Sequence, residues 1–186
     1  MTLPNLITIA RIAAVPLIVW LIVTGRYTPA FGVFIAAGVS DAVDGFIAKR
    51  FAMRSELGAM LDPVADKALL VSIYVTLGLM FHLEQWIVIL VVSRDIAIVV
   101  FVMISYVIGK PMRMAPLRIS KINTAGQIAL AGLVLAALGM NFDAARAIEI
   151  GAIIVGCTTV ASGLLYLVTW LKAMGEDDVP GPGKKA

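Results

Sequence analysis

An all-α, polytopic membrane fold, with six transmembrane helices led by an N-terminal interfacial helix, follows from three features of the sequence. The 186 residues are 61% apolar with mean hydropathy +0.99, far too apolar for a soluble domain. Apolar runs long enough to cross a bilayer as helices recur along the chain, and short polar, Gly- or Pro-bearing segments separate them. Four aspartates, Asp41, Asp44, Asp62 and Asp66, lie inside this apolar sequence, where an ionised carboxylate is costly unless something pairs with it.

Residues 3–24 are apolar except for Asn5, Thr8 and Arg11, and they contain Pro16. They read as an interfacial helix leading into span 1, with Arg11 kept at headgroup depth. The segment 25–29 (Gly-Arg-Tyr-Thr-Pro) is a turn, and span 2 runs from Ala30 to about Ala48, with Gly32, Ala36, Ala37 and Ser40 suited to close packing. A polar connection follows from Lys49 to Glu56. Span 3, Leu57 to about Phe81, carries Pro63 in its first turn, where a missing N–H is tolerated. His82 falls in a short exposed loop. Span 4 covers Trp86 to Ile108, interrupted only by Ser93-Arg94-Asp95. A basic loop ends at Pro116, span 5 covers Leu117 to Met140, Asn141 to Arg146 turn the chain, and span 6 covers Ala147 to Leu171. The membrane domain is thus 1–172. The tail 173–186, with Glu176, Asp177, Asp178, Pro180, Gly181, Pro182 and Gly183, is expected to be a disordered cytoplasmic segment.

Basic residues set the orientation. Lys49, Arg50, Arg54, Lys110, Arg113, Arg118, Lys121, Lys172, Lys184 and Lys185 fall on one side, against only Arg26 and Arg146 in the opposite loops. The positive-inside rule then puts both termini and the acidic set in the cytoplasm. The N-terminus lacks an Arg- and Ser-rich transit segment, so a bacterial plasma (inner) membrane is expected. The single cysteine, Cys157, allows no disulfide framework and reads as a small helix-packing residue. Neither composition nor motif suggests a nucleic-acid partner.

Asp41 and Asp44 are three apart and Asp62 and Asp66 four apart, so on helices each pair projects from one face. If a short turn brings the faces together, four carboxylates form a divalent-metal site, and all-oxygen ligands favour Mg²⁺ or Mn²⁺ over Zn²⁺. Two such ions would neutralise a pyrophosphate and stabilise in-line displacement at phosphorus. Gly45 and Gly58 permit close approach of a nucleotide or diphosphate to the backbone, and Lys49, Arg50 and Arg54 supply positive charge.

The pattern Asp-x2-Asp-Gly-x2-Ala-Lys-x8-Gly-x3-Asp-x3-Asp over residues 41–66 resembles the signature of the CDP-alcohol phosphatidyltransferases. The segment 4–11 (Pro-Asn-Leu-Ile-Thr-Ile-Ala-Arg) also looks like that family's N-terminal entry, and six spans is its usual count. One departure is Lys49, where the family usually has Arg; charge is kept, bidentate phosphate geometry is lost, and Arg50 follows. Three stretches look most like the mitochondrial-type cardiolipin synthases of this family: residues 31–48, residues 92–95 (Val-Ser-Arg-Asp) and residues 116–127. Phosphatidylglycerophosphate synthases usually carry Arg-Glu in place of Arg94-Asp95.

The resemblance implies two divalent ions, Mg²⁺ or Mn²⁺, on Asp41, Asp44, Asp62 and Asp66, with Asp66 also the general base for the acceptor hydroxyl. It implies that Gly45, Ala48, Lys49 and Gly58 line the cytidine and diphosphate pocket, and that Arg94, Arg118 and Lys121 hold the acceptor's phosphate. The expected reaction is phosphatidyl transfer from CDP-diacylglycerol to phosphatidylglycerol, giving cardiolipin and CMP, in a homodimer. A lipid acceptor would need a lateral apolar groove, for which Ile119, Ile122 and the flanks of span 4 are candidates. The alternative acceptor is glycerol 3-phosphate.

Blander readings stand beside these. Asp62 before Pro63 fits a helix N-cap, and Arg94 reads equally as a counter-ion, to one of the acids or in the neighbourhood of Asp95, and as a substrate-binding cation. Lys67 reads as a charge partner rather than a catalyst. A divalent-cation transporter would also place carboxylates in the membrane, but its path should cross the bilayer, and the chain shows no inverted repeat. A structural scaffold gives no reason for the acids.

Overall fold

The computed structural model describes residues 3–51, 56–107 and 118–175, with side chains described for 10–40, 67–98, 100, 104 and 119–171. The described residues form six α-helices: α1 (Leu3–Val23), α2 (Tyr27–Phe51), α3 (Glu56–Leu79), α4 (Gln85–Val107), α5 (Arg118–Met140) and α6 (Ala145–Gly175). They run up and down, and helix adjacency closes a ring in the order α1, α2, α5, α6, α4, α3, with α3 also touching α5 across the middle. Among the described residues two helices, Ile119–Met140 and Ala145–Leu171, are long and apolar enough to cross a membrane.

Three connections lie at one end of the bundle, and each helix entering them stops in the same way. After α1, the amide of Gly25 bonds the carbonyl of Ile22 (3.0 Å) and that of Arg26 reaches Leu21 (2.8 Å). After α3, Phe81 bonds Gly78 (3.1 Å) and His82 bonds Leu77 (2.9 Å); after α5, Phe142 bonds Ala137 (3.3 Å). This is the Schellman pattern, whose C′ residue must be left-handed. Gly25 (φ 72°) and Asn141 (φ 55°) suit that position, whereas Phe81 (φ 58°) carries a Cβ penalty there.

The core is aliphatic and centred on Ile18 and Ile22 of α1, Ile73, Tyr74 and Leu77 of α3, Ile87 and Val91 of α4, and Val134 and Leu135 of α5. Where α5 meets the start of α2, a Cβ on Gly139 would lie 3.0 Å from the backbone of Thr28. The Thr28 hydroxyl uses this approach to donate to the Gly139 carbonyl at 2.6 Å.

Several expectations need correction. Residues 3–23 form one continuous helix through Pro16, and Arg11 is buried within the bundle. Pro16 lies on the exposed side of this helix. Helix α2 begins at Tyr27, inside the expected turn, and continues through Lys49 and Arg50 to Phe51. The acids therefore lie within α2 and α3, not at their ends, and α6 extends to Gly175, beyond the expected boundary at 172. Residues 176–186 lie outside the described residues. In span 2, Ala37 packs inward while Gly32, Ala36 and Ser40 face outward, and Cys157 is exposed rather than packed. His82 is half-buried, its Nε2 lying 2.7 Å from the Tyr27 hydroxyl, because the Schellman turn folds it back toward α2.

Candidate functional site

Helical backbone carries all four aspartates, so the three-residue spacing of Asp41 and Asp44 on α2 and the four-residue spacing of Asp62 and Asp66 on α3 each place a pair on one helix face. Their side chains, with those of Gly45, Ala48, Lys49, Gly58 and Arg118, lie outside the described residues. Among the described residues no group of three or more metal-ligating side chains occurs. The acidic helical segments offer oxygen donors and neither His nor Cys, a set that fits a hard divalent ion such as Mg²⁺ or Mn²⁺.

Lys67 Nζ lies 2.7 Å from Asp95 Oδ1 on α4, and Arg94 Nη1 donates to the same oxygen at 2.7 Å. Arg94 Nη2 donates to Ser120 Oγ on α5 and to Ser162 Oγ on α6, both at 2.7 Å. The guanidinium also sits 5.8 Å from the ring centre of Tyr166. The side chains of Arg94 and Asp95 are 5% and 3% exposed, that of Lys67 31%. One carboxylate thus joins two cations, and through them α3, α4, α5 and α6. Charges this deep persist only when paired and hydrogen-bonded.

Arg94 is paired with Asp95, the partner its counter-ion reading named. Lys67 is a charge partner as expected, and its described partner is Asp95. Lys121 is exposed beside Ser120, so the arginine, this lysine and the turn after Asp66 belong to one region.

A second polar layer lies next along α5. The buried Asn123 Oδ1 accepts from the Thr158 and Thr159 hydroxyls at 2.8 and 2.9 Å, and the Tyr74 hydroxyl donates to the Gln127 carbonyl at 3.1 Å. Sequence reading did not single out Asp95, Ser162, Tyr166 or these threonines as members of a site. The signal was there in their spacing: Ser120, Asn123 and Gln127 on α5, and Thr158, Ser162 and Tyr166 on α6, repeat every three or four residues inside apolar helices.

A groove of ≈ 440 Å³ opens among α1, α2, α3 and α5, lined by Arg11, Phe34, Ala37, Gly38, Leu69, Leu70, Thr124 and Ile128 among others. Its walls stand about one helical turn from the site on three helices: Gly38 before Asp41, Leu69 after Asp66, and Thr124 after Lys121. This hollow lies on the α1–α2 side of α5, and Ile122, expected to line a groove, points outward. A larger hollow of ≈ 1060 Å³ lies at the opposite end, by His82, Trp86 and Ile148. Its acidic lining groups, Glu84 and Glu149, do not suit a phosphate.

Comparison with known proteins covers nearly the whole chain. The profile of the CDP-alcohol phosphatidyltransferase family matches residues 1–171. The chain is 36% identical over 185 residues to a cardiolipin synthase (CMP-forming)/mitochondrial hydrolase fusion protein of Schizosaccharomyces pombe, covering 90% of this chain and 31% of that protein. It is 34% identical over 181 residues to the human cardiolipin synthase (CMP-forming), covering 89% and 60%. A probable phosphatidylglycerophosphate synthase of Mycobacterium tuberculosis is 26% identical over 187 residues, covering 93% and 83%. The chain therefore spans between about a third and three fifths of the length of these two cardiolipin synthases. With the acidic signature set on two helices of an all-α bundle and the family profile matched from residue 1 to 171, the chain belongs to the CDP-alcohol phosphatidyltransferase family.

Proposed function

We propose that the chain transfers the phosphatidyl group of CDP-diacylglycerol to phosphatidylglycerol, giving cardiolipin and CMP. The observation that carries the phosphatidyl donor in this reading is the groove. An apolar slot one turn from both the aspartate helices and Lys121 suits a substrate with a phosphate at the site and an acyl chain beside it. CDP-diacylglycerol brings acyl chains whichever acceptor is used, so the groove supports a lipid phosphatidyl donor, and phosphatidylglycerol is chosen over glycerol 3-phosphate on the likeness to CMP-forming cardiolipin synthases.

In this reading Asp41, Asp44, Asp62 and Asp66 hold two divalent ions, Mg²⁺ or Mn²⁺, which supply charge neutralisation of the diphosphate. Asp66 accepts the proton of the acceptor's primary hydroxyl. That oxygen forms a bond to the phosphorus bearing diacylglycerol, the bond from this phosphorus to the CMP oxygen breaks, and CMP leaves with the electron pair. Gly45, Ala48, Lys49 and Gly58 receive the cytidine and diphosphate. Arg118 and Lys121 hold the acceptor's phosphate, and Arg94 holds Ser120 in place.

We further propose that all six helices span the membrane, with residues 1–172 as the membrane domain and 173–186 as a cytoplasmic tail. The apolar stretches Tyr27–Ser40 and Lys67–Leu79 end where the acids begin, about 20 Å from the loop end of the bundle. The acids then sit inside a roughly 30 Å hydrocarbon layer, open toward the cytoplasmic side of a bacterial inner membrane. A homodimer is part of this proposal, with the outward stripe of Gly32, Ala36 and Ser40 available for contact.

The test supplies purified protein with CDP-diacylglycerol, Mg²⁺ or Mn²⁺ and each acceptor separately. Cardiolipin from phosphatidylglycerol supports the reading; efficient phosphatidylglycerophosphate formation with no cardiolipin refutes the choice of acceptor.

A further inference from the structure

Asp95 stands outside the acidic signature, yet its Oδ1 receives both Lys67 Nζ and Arg94 Nη1 at 2.7 Å. Lys67 is the residue next to Asp66, so a flexible ammonium stands one position from a proposed metal ligand and general base. Arg94 has two further partners in Ser120 and Ser162, whereas among the described residues Lys67 meets the carboxylate of Asp95. We infer that Asp95 is a positioning residue for the reaction: it holds the Lys67 ammonium against α4 and so keeps that cation from competing with divalent metal for the acidic pair on α3.

The inference rests on the proposed metal-binding role of Asp62 and Asp66. Its physical basis is charge. A lysine freed in apolar surroundings seeks the nearest carboxylate, and its four-carbon stem lets it reorient. An opposite charge close to a carboxylate favours the ionised, cation-bound state by an amount comparable to the binding of a competing ion. With Asp95 neutralised, two cations remain around Oδ1 with no anion between them. Removing Lys67 as well returns the local net charge to that of the native triad.

The test measures Mn²⁺ binding to the full chain in lipid nanodiscs, by loss of the free-ion paramagnetic signal and by thermal shift, with no substrate present. Asp95→Asn is expected to weaken Mn²⁺ binding by about tenfold or more. The double variant Lys67→Met/Asp95→Asn and the conservative Asp95→Glu should each bind within about threefold of the native chain. A role confined to holding α3 against α4 predicts the opposite ranking: both Asn variants would lose thermal stability together, and deleting Lys67 would restore nothing. Native-like affinity in Asp95→Asn, or affinity in the double variant as weak as in the single one, overturns the inference. Should Asp95→Asn alone fail to fold, the double variant decides it by binding or not binding as the native chain does. Absence of saturable Mn²⁺ binding to the native chain would instead refute the metal-site reading, and this inference with it.

Discussion

Replacing Arg94 with Met separates a guanidinium that holds the bundle from one that mainly waits for substrate. The change removes three bonds of 2.7 Å, to Asp95, Ser120 and Ser162, and the contact with Tyr166. Breaking a buried ion pair costs about 3–5 kcal/mol when the remaining charge is stranded. Here Asp95 keeps Lys67, Met fills most of the vacated volume, and the serines can turn to carbonyls one turn back on their own helices. The lower end, about 3 kcal/mol, is therefore expected. Arg94→Lys keeps one cation near Asp95 but cannot serve both serines, and should lose about half as much. The assay is reversible unfolding in detergent micelles followed by tryptophan fluorescence, with acceptor KM measured alongside. Stability within about 0.5 kcal/mol of the native chain, with a raised acceptor KM as the only effect, would refute the clamp and return Arg94 to direct acceptor binding.

Further predictions concern the loop end and the helix contacts. Phe81→Gly should stabilise the protein by about 1 kcal/mol, because φ 58° costs Phe but not Gly and the side chain is 82% exposed; a destabilised variant would contradict the Schellman assignment. Gly139→Ala should cost about 1–3 kcal/mol, since its Cβ meets Thr28 backbone, whereas Gly38→Ala, with nothing within 4 Å, should be neutral or slightly stabilising; equal effects would show that the α2–α5 approach is not tight. Burial holds His82 below its ordinary 6.5, so the unfolded chain takes up a proton there more readily than the native one. Stability should accordingly fall as pH drops below 6.5, and His82→Gln should flatten that part of the profile; an unchanged slope would remove His82 as its source.

The six helices were legible because apolar run length and Gly, Pro and polar punctuation follow directly from backbone chemistry. What escaped is what depends on tertiary neighbours. Lys49 and Arg50 look like a connection, yet α2 runs through them to Phe51 because both are good helix formers once the preceding turns are formed. Arg11, read as a headgroup residue, is buried among α1, α2, α3 and α5. Lys67 could be recognised as a charge partner, but its pairing with Asp95 depends on how α3 lies against α4. The Tyr27–His82 contact joins residues 55 apart and leaves no local trace in sequence. The acidic signature is the reverse case: its spacing is a helical property, so the pairing of Asp41 with Asp44 and of Asp62 with Asp66 on one face each needed only the helices themselves.

The most direct test of the account follows acyl chains through one turnover. CDP-diacylglycerol and phosphatidylglycerol carrying distinguishable chains are given to the purified protein with Mg²⁺ or Mn²⁺, and lipid product and CMP are quantified together. The account predicts cardiolipin containing one phosphatidyl group from each lipid, CMP in equal amount, and no reaction in excess EDTA. Cardiolipin built from phosphatidylglycerol chains alone, or full turnover in EDTA, would contradict it.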